Sequence, residues 1–146
     1  MRATGNTRPE LWKSLYARNC YGTTGARIVM DFELDGTPMG SELWLSERPE
    51  LAARRRIVVQ AHGTDHIERL EIIRNNETVH VHRGTGMDER LEWEDGEAFE
   101  AIALPPGPHW PTPFCCYYVR LTQADGEMAW GSPIWVSPPA RRVEGD

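Results

Sequence analysis

The chain has 146 residues, 40% of them apolar and 26% charged, with a net charge of −6. That length suits one domain with a buried core. The acidic balance argues against a nucleic-acid partner, which would meet a basic face. No apolar run approaches the ~20 residues of a membrane helix, so no membrane partner is expected. The first residues, MRATGNTRPE, lack the apolar core of a signal peptide. Three cysteines, Cys20, Cys115 and Cys116, show no disulfide-framework spacing and fit a reducing compartment. A cytoplasmic location is the expectation.

Along the chain, Thr7 and Glu10 have the spacing of a capping box, and Pro9 sits in the first turn. The pattern predicts a helix to about Arg18, with Leu11 and Leu15 stacked at i, i+4 and Trp12 and Tyr16 one position round. Gly22 and Gly25 then break the chain, and from Ala26 the period changes to two. RIVMDFEL places Ile28, Met30, Phe32 and Leu34 on one face of a strand. Asp35-Gly36 is a turn signal. The basic run Arg54-Arg55-Arg56 reads as a solvated loop end. RIVVQAHG and IERLEIIR read as two strands, with Leu70 and Ile72 inward. Asn75-Asn76 makes a tight turn to ETVHVHR, in which Val79 and Val81 share the apolar face.

RLEWED and EAFEAIAL are weaker strand candidates. PPGPHWPTP (residues 105–113) holds five prolines and reads as an extended loop. FCCYYVRLTQ alternates strongly, with Tyr117, Val119 and Leu121 on one face and Cys115 and Cys116 on opposite faces. The two thiols read as buried and free. Asp125-Gly126 turns the chain into EMAWGSPIWV, which lies at a sheet edge or bulges at Pro133. Seven or eight short strands without helical crossovers predict an all-β fold, an antiparallel immunoglobulin-like β-sandwich preceded by one short N-terminal helix. Residues 1–25 are the helix and joint, 26–137 the sandwich and 138–146 a flexible tail.

Two constellations invite a functional reading. His80 and His82 project from one strand face, as two zinc ligands could, but no third donor has a fixed spacing to them. His62 and His66 are possible further donors, with Asp65 beside them in sequence. On the bland reading the pair sits on the solvent face of a hairpin. Trp110 in the proline loop suits stacking on a sugar or peptide, or folds back over the sandwich edge. No nucleophile elbow, phosphate loop, H-E-x-x-H or C-x-x-C occurs, so no catalytic residue is assigned.

The stretches RPELWKSLYARNCYGTTGARIVMDFELDGTPMGSE, IERLEIIRNNETVH and YYVRLTQADGEMAWGSPIWV resemble the C-terminal region of the bacterial DUF3604 family. That family is related to the PHP metal-dependent phosphoesterases. The resemblance runs from about Thr7 to Val136. It implies a catalytic barrel upstream whose His, Asp and Glu residues hold divalent metals such as Zn or Mn, and a helix leading from it into a sandwich. This chain matches the helix and sandwich only, so the resemblance implies no metal, cofactor or catalytic residue here. What it implies instead is an accessory domain that supports the barrel or mediates homo-oligomerisation. Its partner is a PHP-like catalytic domain or subunit. Leu11, Trp12, Leu15, Tyr21, Thr23 and Thr24 are then candidates for the seam between the two domains. A sugar- or peptide-binding module built on Trp110 and a small metal-binding protein built on His80 and His82 are the rival expectations.

Overall fold

Alternation at a period of two puts Met30, Phe32 and Leu34 on one face of a strand, and that face is buried. The computed structural model of the protein describes residues 3–108 and 110–138. A helix, α1 (Arg8–Tyr16), leads to strands β1 (Tyr21–Thr23), β2 (Val29–Leu34), β3 (Thr37–Pro38) and β4 (Glu42–Trp44). A 3-10 turn over Pro49–Ala52 precedes β5 (Arg55–His62), β6 (Ile67–Arg74), β7 (Glu77–Arg83) and β8 (Asp88–Asp95). A one-turn helix, α2 (Phe99–Ile102), then comes before β9 (Cys115–Gln123), β10 (Met128–Gly131) and β11 (Ile134–Ser137). The expected flexible tail lies almost wholly outside the described residues.

The strands form two sheets. One runs β3-β2-β5-β8. In the other, β9 is central, with β6 along one side and β10 then β11 along the opposite side. β7 borders β6, β1 borders β10 and β4 borders β11. The two sheets face one another across a single apolar core, a sandwich-like arrangement. Phe32, Leu34, Ile57 and Val59 come from one sheet, and Leu70, Ile72, Val119 and Leu121 from the other. Pro133 falls between β10 and β11, where the chain is interrupted on its way along β9. Among the described residues all strand pairings are antiparallel except β11 with β4, which is parallel. An all-antiparallel sheet was the expectation. β4 reaches its place by crossing from the other sheet, and only a hairpin partner is obliged to run antiparallel.

Turn chemistry follows the sequence closely. Asp35 and Gly36 have φ of 46° and 77°, and Asn75 and Asn76 have φ of 52° and 69°. Two successive positive φ values are the primed hairpin turn that suits the twist of paired strands. Other expectations are corrected. The Thr7 hydroxyl makes no capping bond, and Glu10 instead accepts a hydrogen bond from the Thr4 hydroxyl. The helix stops at Tyr16, because Arg18 turns left-handed with φ of 54°. EAFEAIAL is no strand: Phe99 and Ile102 bury as an i, i+3 pair on α2.

The β6–β7 register also slips, so that Ile72 faces His80 but Ile73 faces Thr78. Val79 is the extra residue of a β-bulge, which re-phases the strand. Val79 packs against the core, whereas Val81 is 48% exposed. His80 and His82 turn inward opposite Ile72 and Leu70, and so are not on the solvent face of the hairpin.

The largest correction concerns Arg55, which is fully buried and no loop end. It shares strand parity with the core residues Ile57, Val59 and Ala61. Its guanidinium donates to the Tyr117 hydroxyl at 2.8 Å, to the Leu51 carbonyl at 2.6 Å and to the Glu97 carbonyl. Asp95 lies 3.4 Å from it. Tyr117 in turn donates to Asp95 at 2.6 Å, and Arg74 donates to the same carboxylate at 2.8 Å. Burial pushes the Asp95 carboxyl up. The bonds from Tyr117, Arg74 and the Glu97 N–H outweigh it and hold the pKa below the ordinary value. Burial pushes the Tyr117 pKa upward, so the phenol keeps its proton and remains a donor. Cys115 is buried beside this network, and burial pushes its thiol up to about 12.

Removing one member should therefore strand a buried charge. Asp95→Ala leaves Arg55 without its carboxylate and should cost about 3–5 kcal/mol. Tyr117→Phe removes one hydroxyl and should cost about 1–3 kcal/mol. Urea unfolding checks both: the midpoints should fall in that order with little change in slope.

Candidate functional site

The seam candidates gather where α1 meets the seven-stranded sheet. Two positions fix that junction. Arg18 donates from Nε to the Gly40 carbonyl at 2.9 Å and from a terminal nitrogen to Glu42 at 2.8 Å. Its guanidinium carbon also sits 5.3 Å from the centre of the Trp135 ring, a cation–π contact. Gly40 is the second. It has φ of 86°, and a Cβ there would lie 2.3 Å from the Arg18 carbonyl oxygen. Only glycine lets the end of the helix pass so close.

The segment after Arg18 is not a loose joint. Tyr21–Thr23 forms β1 and pairs with Gly131–Ala129 of β10. The Ser132 N–H donates to the Cys20 carbonyl at 3.1 Å, and the Cys20 sulfur lies 3.4 Å from the Ser132 hydroxyl. Tyr21 packs against the core. Thr23 is an exposed strand residue. The Thr24 hydroxyl donates to Glu127 and accepts from the Met128 N–H at 2.9 Å. Tyr21 and Thr24 thus hold the chain to the sheet.

The helix itself presents a different surface. Ser14 is its buried residue, and Leu11 is half-buried. Trp12, Leu15 and Tyr16 are 59%, 49% and 71% exposed. Trp12 and Tyr16 meet edge to face, 5.1 Å between ring centres. Three large apolar side chains so exposed on nine residues of helix form an uncovered apolar face.

The other candidates have structural partners. His80 stacks on Trp93 of the opposite sheet, ring centres 5.5 Å apart. Burial, with His82 adding to it, lowers its pKa. His82 Nε2 lies 2.8 Å from the Glu89 carboxylate. That carboxylate also accepts from the Gly86 N–H at 2.9 Å, the Thr85 N–H and the Thr85 hydroxyl. Burial pushes the Glu89 carboxyl up, but these bonds more than reverse it, and the pKa falls to about 2. The histidines therefore close the β7–β8 side of the sandwich. Among the described residues, no three His, Cys, Asp or Glu side chains are grouped to hold a metal ion. Trp110 folds back onto Phe114 at 5.1 Å and Trp135 at 6.4 Å; the neighbouring residue 109 lies outside the described residues. The indole nitrogen of Trp110 is buried, with no hydrogen-bond partner among the described residues.

Sequence reading missed Arg18, Gly40 and Glu89. A glycine before a polar strand was the one signal for Gly40. Nothing local marks Arg18, whose partner Gly40 lies 22 residues away; Glu89 takes donors from the nearby Thr85 and Gly86, but its pairing with His82 depends on how the β7–β8 turn folds.

Among curated proteins, the chain is 42% identical over 130 residues to an uncharacterized protein of Chlamydia pneumoniae. It is 41% identical over the same length to one of Chlamydia trachomatis and 42% to one of Chlamydia muridarum. In each case the match takes in 89% of this chain and 21% of the relative. The chain thus spans about a fifth of the length of the curated relatives it matches. No protein-family model matches it, and neither does any solved structure.

Two outcomes follow from this geometry. Gly40→Ala should push the end of α1 off the sheet, at a cost of about 1–3 kcal/mol for the strained φ alone. Limited trypsin digestion should then cut faster after Arg18. The second concerns acid. The folded pKa of Glu89 lies at about 2, below the ordinary 4.5 of a glutamate. As pH falls, the unfolded chain therefore takes the proton first, so the Glu89 contribution is full above about pH 4.5 and is lost towards pH 2. Glu89→Gln should flatten the loss of stability across that window, measured by urea midpoints at stepped pH.

Proposed function

We propose that this chain is a non-catalytic accessory domain, an immunoglobulin-like β-sandwich serving a larger PHP-related metallohydrolase of the DUF3604 kind. It buttresses the catalytic barrel through α1 and the joint. The observation that carries this reading is the small share of its relatives that the match takes in, one-fifth of each chlamydial chain at 41–42% identity. A segment kept within so much longer a polypeptide has neighbours to serve. The outward face of α1 supports the same reading, because Trp12, Leu15 and Tyr16 gain by being covered. At roughly 25 cal/mol per Å², a few hundred Å² of such surface is worth several kcal/mol once buried. The resemblance of CYGTTG and QADGEMAW to the family's joint and last strands supplies the hydrolase half of the proposal. On this reading the divalent metals belong to the barrel and its own residues, and His80 and His82 take no part.

Hydrolysis of aryl phosphate mono- and diesters with Mn²⁺ or Zn²⁺ tests the proposal. This chain should give no turnover above buffer, and the long Chlamydia pneumoniae relative should turn over. Activity from this chain that disappears in His80→Ala/His82→Ala would overturn the accessory reading. An inactive relative, fully metal-loaded, would remove its hydrolase half.

A further inference from the structure

The two sheets present unlike outer faces. On the seven-stranded sheet one row crosses four pairings: Gly22, Trp130, Arg120, Glu71 and Val81. Trp130 is 37% exposed. Beside it, a Cβ on Gly22 would meet nothing within 4 Å, so the ring stands next to a bare stretch of backbone. A strand glycine with such space suits the close approach of another chain. In mid-row the charges are already settled. Glu71 is bidentate with Arg120 at 2.8 and 2.9 Å, lies 3.5 Å from Arg69, and is buried although it points outward. Covering a pair that is already matched and hydrogen-bonded strands no charge.

The outer face of the four-stranded sheet is the opposite case. Asp88, Glu94 and Glu92 are 79%, 51% and 40% exposed there, with Arg56, Arg90 and His62 among them. A partner docking on that face would have to strip water from several carboxylates.

The helix leaves the domain on the aromatic side. β1, which follows it, pairs with the strand that carries Trp130. Arg18 covers Trp135, which projects outward between the buried Ile134 and Val136. Aromatic anchors around a matched ion pair suit an interface core, with Arg69 and Arg83 at its edge as a polar rim.

We propose that the outer face of the seven-stranded sheet around Trp130 and the Trp12, Leu15 and Tyr16 face of α1 are docking surfaces for the rest of the longer polypeptide. The outer face of the four-stranded sheet stays in water. This rests on the reading of the chain as an accessory domain of a longer protein, and the choice of occupant is argued from the part of each relative that lies outside the matched 21%.

Hydroxyl-radical footprinting tests it, with the Chlamydia pneumoniae relative carrying this chain's residues in place of its matched stretch. Against this chain alone at a dilution where light scattering reports a monomer, Trp130 and Trp12 should oxidise roughly fivefold more slowly in the long chain, as burial in an interface core requires. His62 should oxidise equally in both. Equal rates at Trp130, or slowing at His62 instead, overturn the proposal. So does Trp130 protection that appears in this chain alone as its concentration rises and matches that in the long chain, since the occupant is then a second copy. If the chimera does not fold, the unaltered relative serves. Its position aligned with Trp130 should label more slowly than the one aligned with His62, and the reverse order overturns the proposal. The labelling is blind to catalysis, so an inactive relative with Trp130 covered would refute the hydrolase reading and leave this one standing.

Discussion

A single buried guanidinium sets the terms for this fold. Arg55 opens β5 on the core side of the strand, so the parity that buries Ile57 and Val59 buries a full positive charge with them. Such a charge is tolerated only when matched and hydrogen-bonded. Asp95, its cross-strand neighbour, supplies the carboxylate. Tyr117 and Arg74 reach across from the other sheet to complete the set. Because the network spans both layers, the sheets cannot slide past one another by more than a hydrogen bond allows. At the far end of β9 a smaller clasp does similar work: Gln123, buried, accepts from the Thr64 N–H at 2.8 Å and reaches Asp125 at 3.1 Å.

With the layers locked, differences between their outer surfaces become stable features that a partner can read. One outer face is charged and wet. The other carries Trp130 beside a glycine, an internally matched Arg120–Glu71 pair, and the Trp135 ring under Arg18. The helix is tied to that second face through Gly40 and Arg18, not through a broad apolar contact of its own. Its large side chains therefore remain outward. A helix of nine residues has little stability in isolation, so these few ties at its end decide its orientation.

Much of the strand content was legible because alternation is a local property. Met30 to Leu34, Leu70 and Ile72, and Tyr117 to Leu121 bury as their spacing says. The Asp35-Gly36 and Asn75-Asn76 turns were legible for the same reason, since only a few residue types accept positive φ. The misreadings share one cause. Val81 and the two histidines were assigned the wrong faces by a bulge that no periodicity records. Arg55 looked like part of a charged run because its carboxylate lies forty residues on. The junction of α1 with the sheet was half legible: the apolar side of α1 shows in its composition, whereas the Arg18–Gly40 latch that aims it does not.

By itself, the chain's amino-acid order determined the long strands β2, β5, β6, β7 and β9, where most of them turn and much of their inward phase, because these depend on neighbours a few residues apart. The tertiary structure alone decided that a charge belongs in the core, that the His-x-His pair closes an edge, and that one outer face is aromatic and the other acidic. Each of those depends on a partner brought from another strand, and a distance across a sheet has no signature along the chain.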